Sequence, residues 1–234
     1  EFIVISNNQL GDLTLRQGDV KRLLIENITY FGIDPTATPT SQKTTPTFED
    51  GFNSHRLVRI SYTKSFVVDD IVIKDCNATN SKLHAQIVIS KLPYSGGVFP
   101  AVYDGDGYIG KVTIDNVNSP NAQGLLDFGD YTIVKNLIIN NIVDRRVAFG
   151  DPRGFIANYE NFTGETIDFT NSKIENLTLN NVKTILGGGS NPSQSWIKFA
   201  GEIKNLTIDN YNIVAEAGSE TDVLWTFLEG KVKN

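Results

Sequence analysis

Few residues of this chain have types suited to chemistry, and their spacing decides what each could do. His55 and His84 are the only histidines, and each stands just ahead of a strand-like segment, RLVRIS from Arg56 and AQIVIS from Ala85. Two histidines joined by a carboxylate could hold a transition metal. The equivalent positions further on are Gln123, Arg153, Gln194 and Asp222, so no third ligand adjoins the pair and a stacked polar column is expected. Asp104, Asp106 and Gly107 in YDGDGYIG match the third, fifth and sixth positions of an EF-hand calcium loop. Val102 and Thr113 occupy the positions of the acidic ligands that open and close such a cage. A tight Asp-Gly turn is therefore expected, and Ca²⁺ is the one cofactor the pattern suggests.

Arg59, Asp127 and Lys198 recur at one position of the segments RLVRIS, GLLDFG and SWIKFA, while Phe155 and Trp196 share the place just before another recurrent position. A charged stripe could follow a sugar chain, and exposed rings suit the apolar faces of sugars because a rigid ring buries area at little entropic cost. The competing expectations are a solvated face of mixed charge and an insertion loop packed over the rings. Cys76 replaces Ile or Val in an apolar column and reads as an inert core thiol.

Composition narrows the classes to which these residues could belong. Hydrophobic residues make up 40% and charged residues 21%, which is neither a disordered nor a membrane composition. No apolar run approaches the roughly 18 residues of a membrane span. A net charge of −6 leaves no basic footprint for nucleic acid. A single cysteine forbids an internal disulfide, and the absence of methionine leads us to expect a processed chain or a piece of a longer protein with attached domains.

The elements that must position these residues come from an internal repeat. Six segments share nine positions: apolar, two free, apolar, free, apolar, free, Asn or Asp, apolar. They are VKRLLIENI from Val20, VDDIVIKDC from Val68, IGKVTIDNV from Ile109, VKNLIINNI from Val134, IENLTLNNV from Ile174 and IKNLTIDNY from Ile203. Leu23 and Ile25, and their equivalents in each repeat, alternate with period two and so face one side of a strand. The recurrent Asn or Asp predicts a turn at the strand end, with its side chain bonded to nearby backbone or stacked as a ladder. A second strand family follows each motif: RLVRIS, AQIVIS, GLLDFG, GFIANY, SWIKFA and VLWTFL from Val223. Its inward columns run from Val58 to Trp225 and from Ile60 to Phe227, interrupted only by Asn158.

Repeats stepping by as few as 25 residues with two strands each and no amphipathic helix predict an all-β, right-handed parallel β-helix of about six coils. Residues 1–234 then form one such domain, with 1–19 as a cap or first coil and 32–54, 90–108 and 159–173 as loop insertions. Long loops on a rigid scaffold are where binding concentrates.

The pairing of NLTIDN-like strands with FIxF-like strands resembles the pectate-lyase-like parallel β-helix superfamily, and within it the secreted β-helix modules of glycan-degrading gut bacteria. The resemblance runs from about Val20 to Phe227. It implies a secreted or cell-surface bacterial protein whose partner is a polysaccharide. Lyases of that superfamily abstract a proton beside a uronate carboxylate with Lys or Arg as base and Ca²⁺ on the acid group. No such cluster stands out here, so the first expectation is a carbohydrate-binding module carried by Trp196, Phe155, Arg59, Asp127 and Lys198. A polysaccharide lyase or glycoside hydrolase is the second expectation, and a spike or adhesin rod the third.

Overall fold

A computed structural model of the chain describes residues 2–6, 12–15, 20–30, 58–62, 67–78, 87–91, 107–118, 125–128, 132–146, 155–158, 172–186, 197–215 and 228–232. These residues form an all-β structure whose strands, numbered in chain order, all pair in parallel within one unclosed sheet. One ladder joins β1 (Phe2–Ser6), β3 (Val20–Glu26), β6 (Val68–Ala78), β8 (Ile109–Asn118), β10 (Ile133–Arg146), β12 (Lys173–Leu186) and β13 (Ile197–Ala215). The other joins β2 (Asp12–Leu15), β5 (Val58–Tyr62), β7 (Ile87–Lys91), β9 (Leu126–Phe128), β11 (Ile156–Asn158), β13 and β14 (Leu228–Val232). The short β4 (Thr29–Tyr30) pairs with β6. Because β13 is long enough to pair with β12 along one half and β11 along the other, it joins the two ladders.

The repeat explains the first ladder residue by residue. Leu23, Ile71, Val112, Leu137, Leu177 and Leu206 are direct register partners from strand to strand, and so are Ile25, Ile73, Ile114, Ile139, Leu179 and Ile208. All but the last residue of each column are buried, each contributing about 1.5–3 kcal/mol of transfer free energy. In the second ladder Val58, Ile87, Leu126 and Ile156 form one buried column, and Ile60, Ile89 and Phe128 another. Asn158 holds its expected register opposite Phe128.

The recurrent Asn or Asp does something more specific than end a strand. Asn27, Asp75, Asn116, Asn141, Asn181 and Asn210 all lie in the left-handed region, with φ between 50° and 54°. Asn and Asp tolerate that region far better than β-branched or bulky residues. In β6, β8, β10, β12 and β13 the strand continues through this residue as a corner. The corner changes the inward spacing from two to three, so Ile28, Cys76, Val117, Ile142 and Val182 return to the core. Tyr211 packs against that core at the end of the column. Gly110 meets a tighter constraint, since a Cβ there would lie 2.6 Å from the Asp69 carbonyl oxygen.

Three expectations need correction. Ser90 and Lys91 belong to β7 and Lys173 to β12, so the second and third insertions are shorter than 90–108 and 159–173. Apart from these residues, Gly107, Tyr108 and Ser172, both insertions, like 32–54, lie outside the described residues. In the last repeat, Leu228 rather than Trp225 pairs with Ile197, and Glu229 pairs with Lys198. That three-residue shift sets an acid beside the lysine.

Candidate functional site

The charged stripe expected on the second ladder exists as a backbone register. Arg59, Val88, Asp127, Ala157 and Lys198 are successive partners along β5, β7, β9, β11 and β13. At about 4.8 Å per strand step, Arg59 and Asp127 stand roughly 10 Å apart, as do Asp127 and Lys198. The column extends further than its sequence pattern suggested: Asp12 is the partner of Arg59 at one end and Glu229 of Lys198 at the other. Its charges therefore run acid, base, acid, base, acid, with Val88 and Ala157 as spacers. Successive acidic positions of the column lie three strand steps apart, about 14 Å along the backbone.

Phe155 does not join this surface. It is fully buried, and its carbonyl accepts hydrogen bonds from the backbone N–H groups of Leu125 (3.0 Å) and Leu126 (3.1 Å). Strict alternation had put Phe155 outside because Ile156 points inward. The chain instead bends just before the strand, so Leu125 and Leu126, like Phe155 and Ile156, are consecutive inward residues. Trp196, Asp104, Asp106, His55 and His84 lie outside the described residues. Cys76 is buried as expected, its Sγ–H donating to the Lys74 carbonyl at 3.2 Å, and burial pushes its thiol up to about 11.

Polar columns also cover the outer side of the first ladder, in motif positions that the repeat pattern left free. Arg22 Nε lies 3.3 Å from Asp70 Oδ2, and Lys111 Nζ lies 3.6 Å from Asp70 Oδ1. The same column continues as amides. Asn176 Nδ2 donates to Asn136 Oδ1 at 3.0 Å and Asn205 Nδ2 to Asn176 Oδ1 at 2.8 Å. Lys74 bonds Glu26 at 2.9 Å, a contact that raises the lysine above its usual range. The corner residues form their own ladder, Asn210 to Asn181 at 2.9 Å and Asn181 to Asn141 at 2.7 Å. Asn141 steps sideways to donate to Asp115 at 2.8 Å, and Asn116 donates to Asp75 at 2.8 Å. Inside the corner, Tyr211 Oη donates to Thr184 Oγ1 at 2.9 Å, beside the buried Asp144. Lys135 Nζ sits 3.5 Å from the centre of the Tyr108 ring, close enough for a cation–π contact.

One regularity unites both ladders. Among the described residues, every register pair in which both residues are charged joins opposite signs: Asp12–Arg59, Arg22–Asp70, Asp70–Lys111, Glu26–Lys74, Lys74–Asp115, Lys173–Glu202, Lys198–Glu229 and Glu202–Lys231. Among the described residues no three His, Cys, Asp or Glu groups gather as metal ligands, and no helix is long and apolar enough to cross a membrane. No protein-family model, curated protein or solved structure matches the chain.

Proposed function

We propose that the chain winds as a right-handed parallel β-helix of about six coils and serves as a carbohydrate-binding module of a secreted or cell-surface protein, its partner a polysaccharide. The observation that carries the reading is the register column Arg59–Val88–Asp127–Ala157–Lys198. Charged positions recurring every second strand on a rigid sheet suit a linear polymer whose hydroxyl and carboxylate groups recur along one direction. Val88 and Ala157, at the register positions between them, carry no charge. The resemblance to pectate-lyase-like β-helices supplies the polysaccharide class and the extracellular setting; the burial of Phe155 leaves Trp196 as the single aromatic in the reading.

A glycan array with the wild-type protein, Trp196→Ala and the double variant Arg59→Ala/Lys198→Ala tests this. Binding should fall about tenfold or more in the double variant and should weaken with added salt, because salt screens charge–charge attraction beyond about 10 Å at 0.1 M. Equal signals from all three proteins would remove the reading. Incubation with uronate polymers and Ca²⁺ separates a binder from a lyase, since only a lyase generates the absorbance of an unsaturated product.

A further inference from the structure

The two ladders arrange their outward charges differently. On the first, opposite charges are register partners on adjacent strands and they touch: Arg22 and Lys111 lie 3.3 and 3.6 Å from the Asp70 carboxylate, and Lys74 lies 2.9 Å from that of Glu26. On the second, Val88 and Ala157 separate the central charges Arg59, Asp127 and Lys198, so opposite signs stand two strand steps apart, about 10 Å. Asp127 is the pivot of this column. Its register partners on both sides are uncharged, whereas Arg59 and Lys198 each have an acid one step away, Asp12 and Glu229. Val58 and Ile60 are buried on either side of Arg59, as Leu126 and Phe128 are on either side of Asp127, so strand alternation assigns the column to the outer side of the sheet.

This sign pattern selects among linear polymers. A polyanion would set its carboxylates beside Asp12, Asp127 and Glu229, on a chain whose net charge is already −6. A polycation would meet Arg59 and Lys198. An uncharged polymer would displace water from every charge of the column and return no ionic contact. A polymer carrying both signs can set an amine at Asp127 and carboxylates at Arg59 and Lys198, so that each charge meets its opposite. Alternation also fixes the polymer's position along the sheet, because sliding it by two strand steps brings like charges together.

Building on the carbohydrate-binding reading of this stripe, we propose that its ligand is a zwitterionic polysaccharide, one that bears protonated amino groups as well as carboxylates along the same chain. An amino group lies at Asp127, with carboxylates at Arg59 and Lys198, and opposite ligand charges recur at about 10 Å along the column. Like-charge contact rejects polymers of a single sign, so discrimination comes from repulsion as well as attraction.

Titration calorimetry with three polymers of one backbone tests the assignment: carboxymethyl chitosan, which carries both groups, its N-acetylated derivative, which keeps only carboxylates, and chitosan, which has only amines. A slightly acidic buffer at physiological salt keeps the amines charged. The wild type should bind carboxymethyl chitosan about tenfold or more tighter than either of the others. Asp127→Asn should bring that affinity down to the level of the N-acetylated derivative, and Arg59→Gln/Lys198→Gln down to the level of chitosan, each with the thermal transition of the wild type. Equal binding of the three polymers by the wild type, or a preference for either singly charged one, would overturn the assignment and leave the carbohydrate reading standing. Binding of none of the three would overturn it as well, and the glycan array then decides the carbohydrate reading separately.

Discussion

At the scale of single residues, the corner asparagines carry two separable contributions. Their backbone sits at φ near 52°, where a Cβ without a helpful side chain costs about 1–2 kcal/mol. Their amides also link successive repeats, at about 0.5–1.5 kcal/mol per bond. Asn141 lies at the centre of this ladder, accepting from Asn181 and donating to Asp115. Asn141→Gly keeps the backbone geometry and loses the bonds, so urea denaturation should show a loss of about 1 kcal/mol. Asn141→Ala loses both and should cost about 2 kcal/mol. Equal losses would show that the left-handed corner is unstrained for alanine.

At the scale of the element, alternating charge specifies which strand lies beside which. Isolated surface ion pairs contribute only about 0–1 kcal/mol. A column in which one acid serves two bases is different, because reversing the acid sets three like charges in a row at strand spacing. Asp70 stands between Arg22 and Lys111. Asp70→Lys should destabilise the chain by about 1 kcal/mol or more at low salt. Most of that loss should vanish in 1 M salt, where the screening length is about 3 Å. A salt-independent loss would mean that the substitution acts through packing.

At the scale of the whole molecule, each repeat touches only its neighbours, so stability should be graded along the ladder. Among the described residues, strands β8, β10 and β12 are covered on both sides by long partners, whereas β1 is covered on one side and β13 only partly on its outer edge. Amide hydrogen exchange on dilute protein should therefore be slowest in β8, β10 and β12 and fastest in β1, β14 and the Asn205–Ala215 half of β13. Uniform exchange along the ladder would contradict the nearest-neighbour picture.

The nine-position motif was enough by itself to determine six strands of the first ladder and their register, because period-two burial is a property of local sequence; at the recurrent Asn or Asp it predicted a turn ending the strand, whereas the strand runs on through a left-handed corner in β6, β8, β10, β12 and β13. Arg59, Asp127 and Lys198 fell into one column for the same reason: a strand's alternation puts equivalent positions side by side once the repeats are aligned. Tertiary structure decided the rest. The bend before β9 and β11 turned Phe155 inward, and alternation cannot register a bend made by packing. The partners of Arg59 and Lys198, Asp12 and Glu229, came from segments outside the repeat pattern, joined to it by pairing across long stretches of chain. The exposure of Ile208 belongs to position rather than type: the same apolar column is core in the middle of a stack and surface at its end.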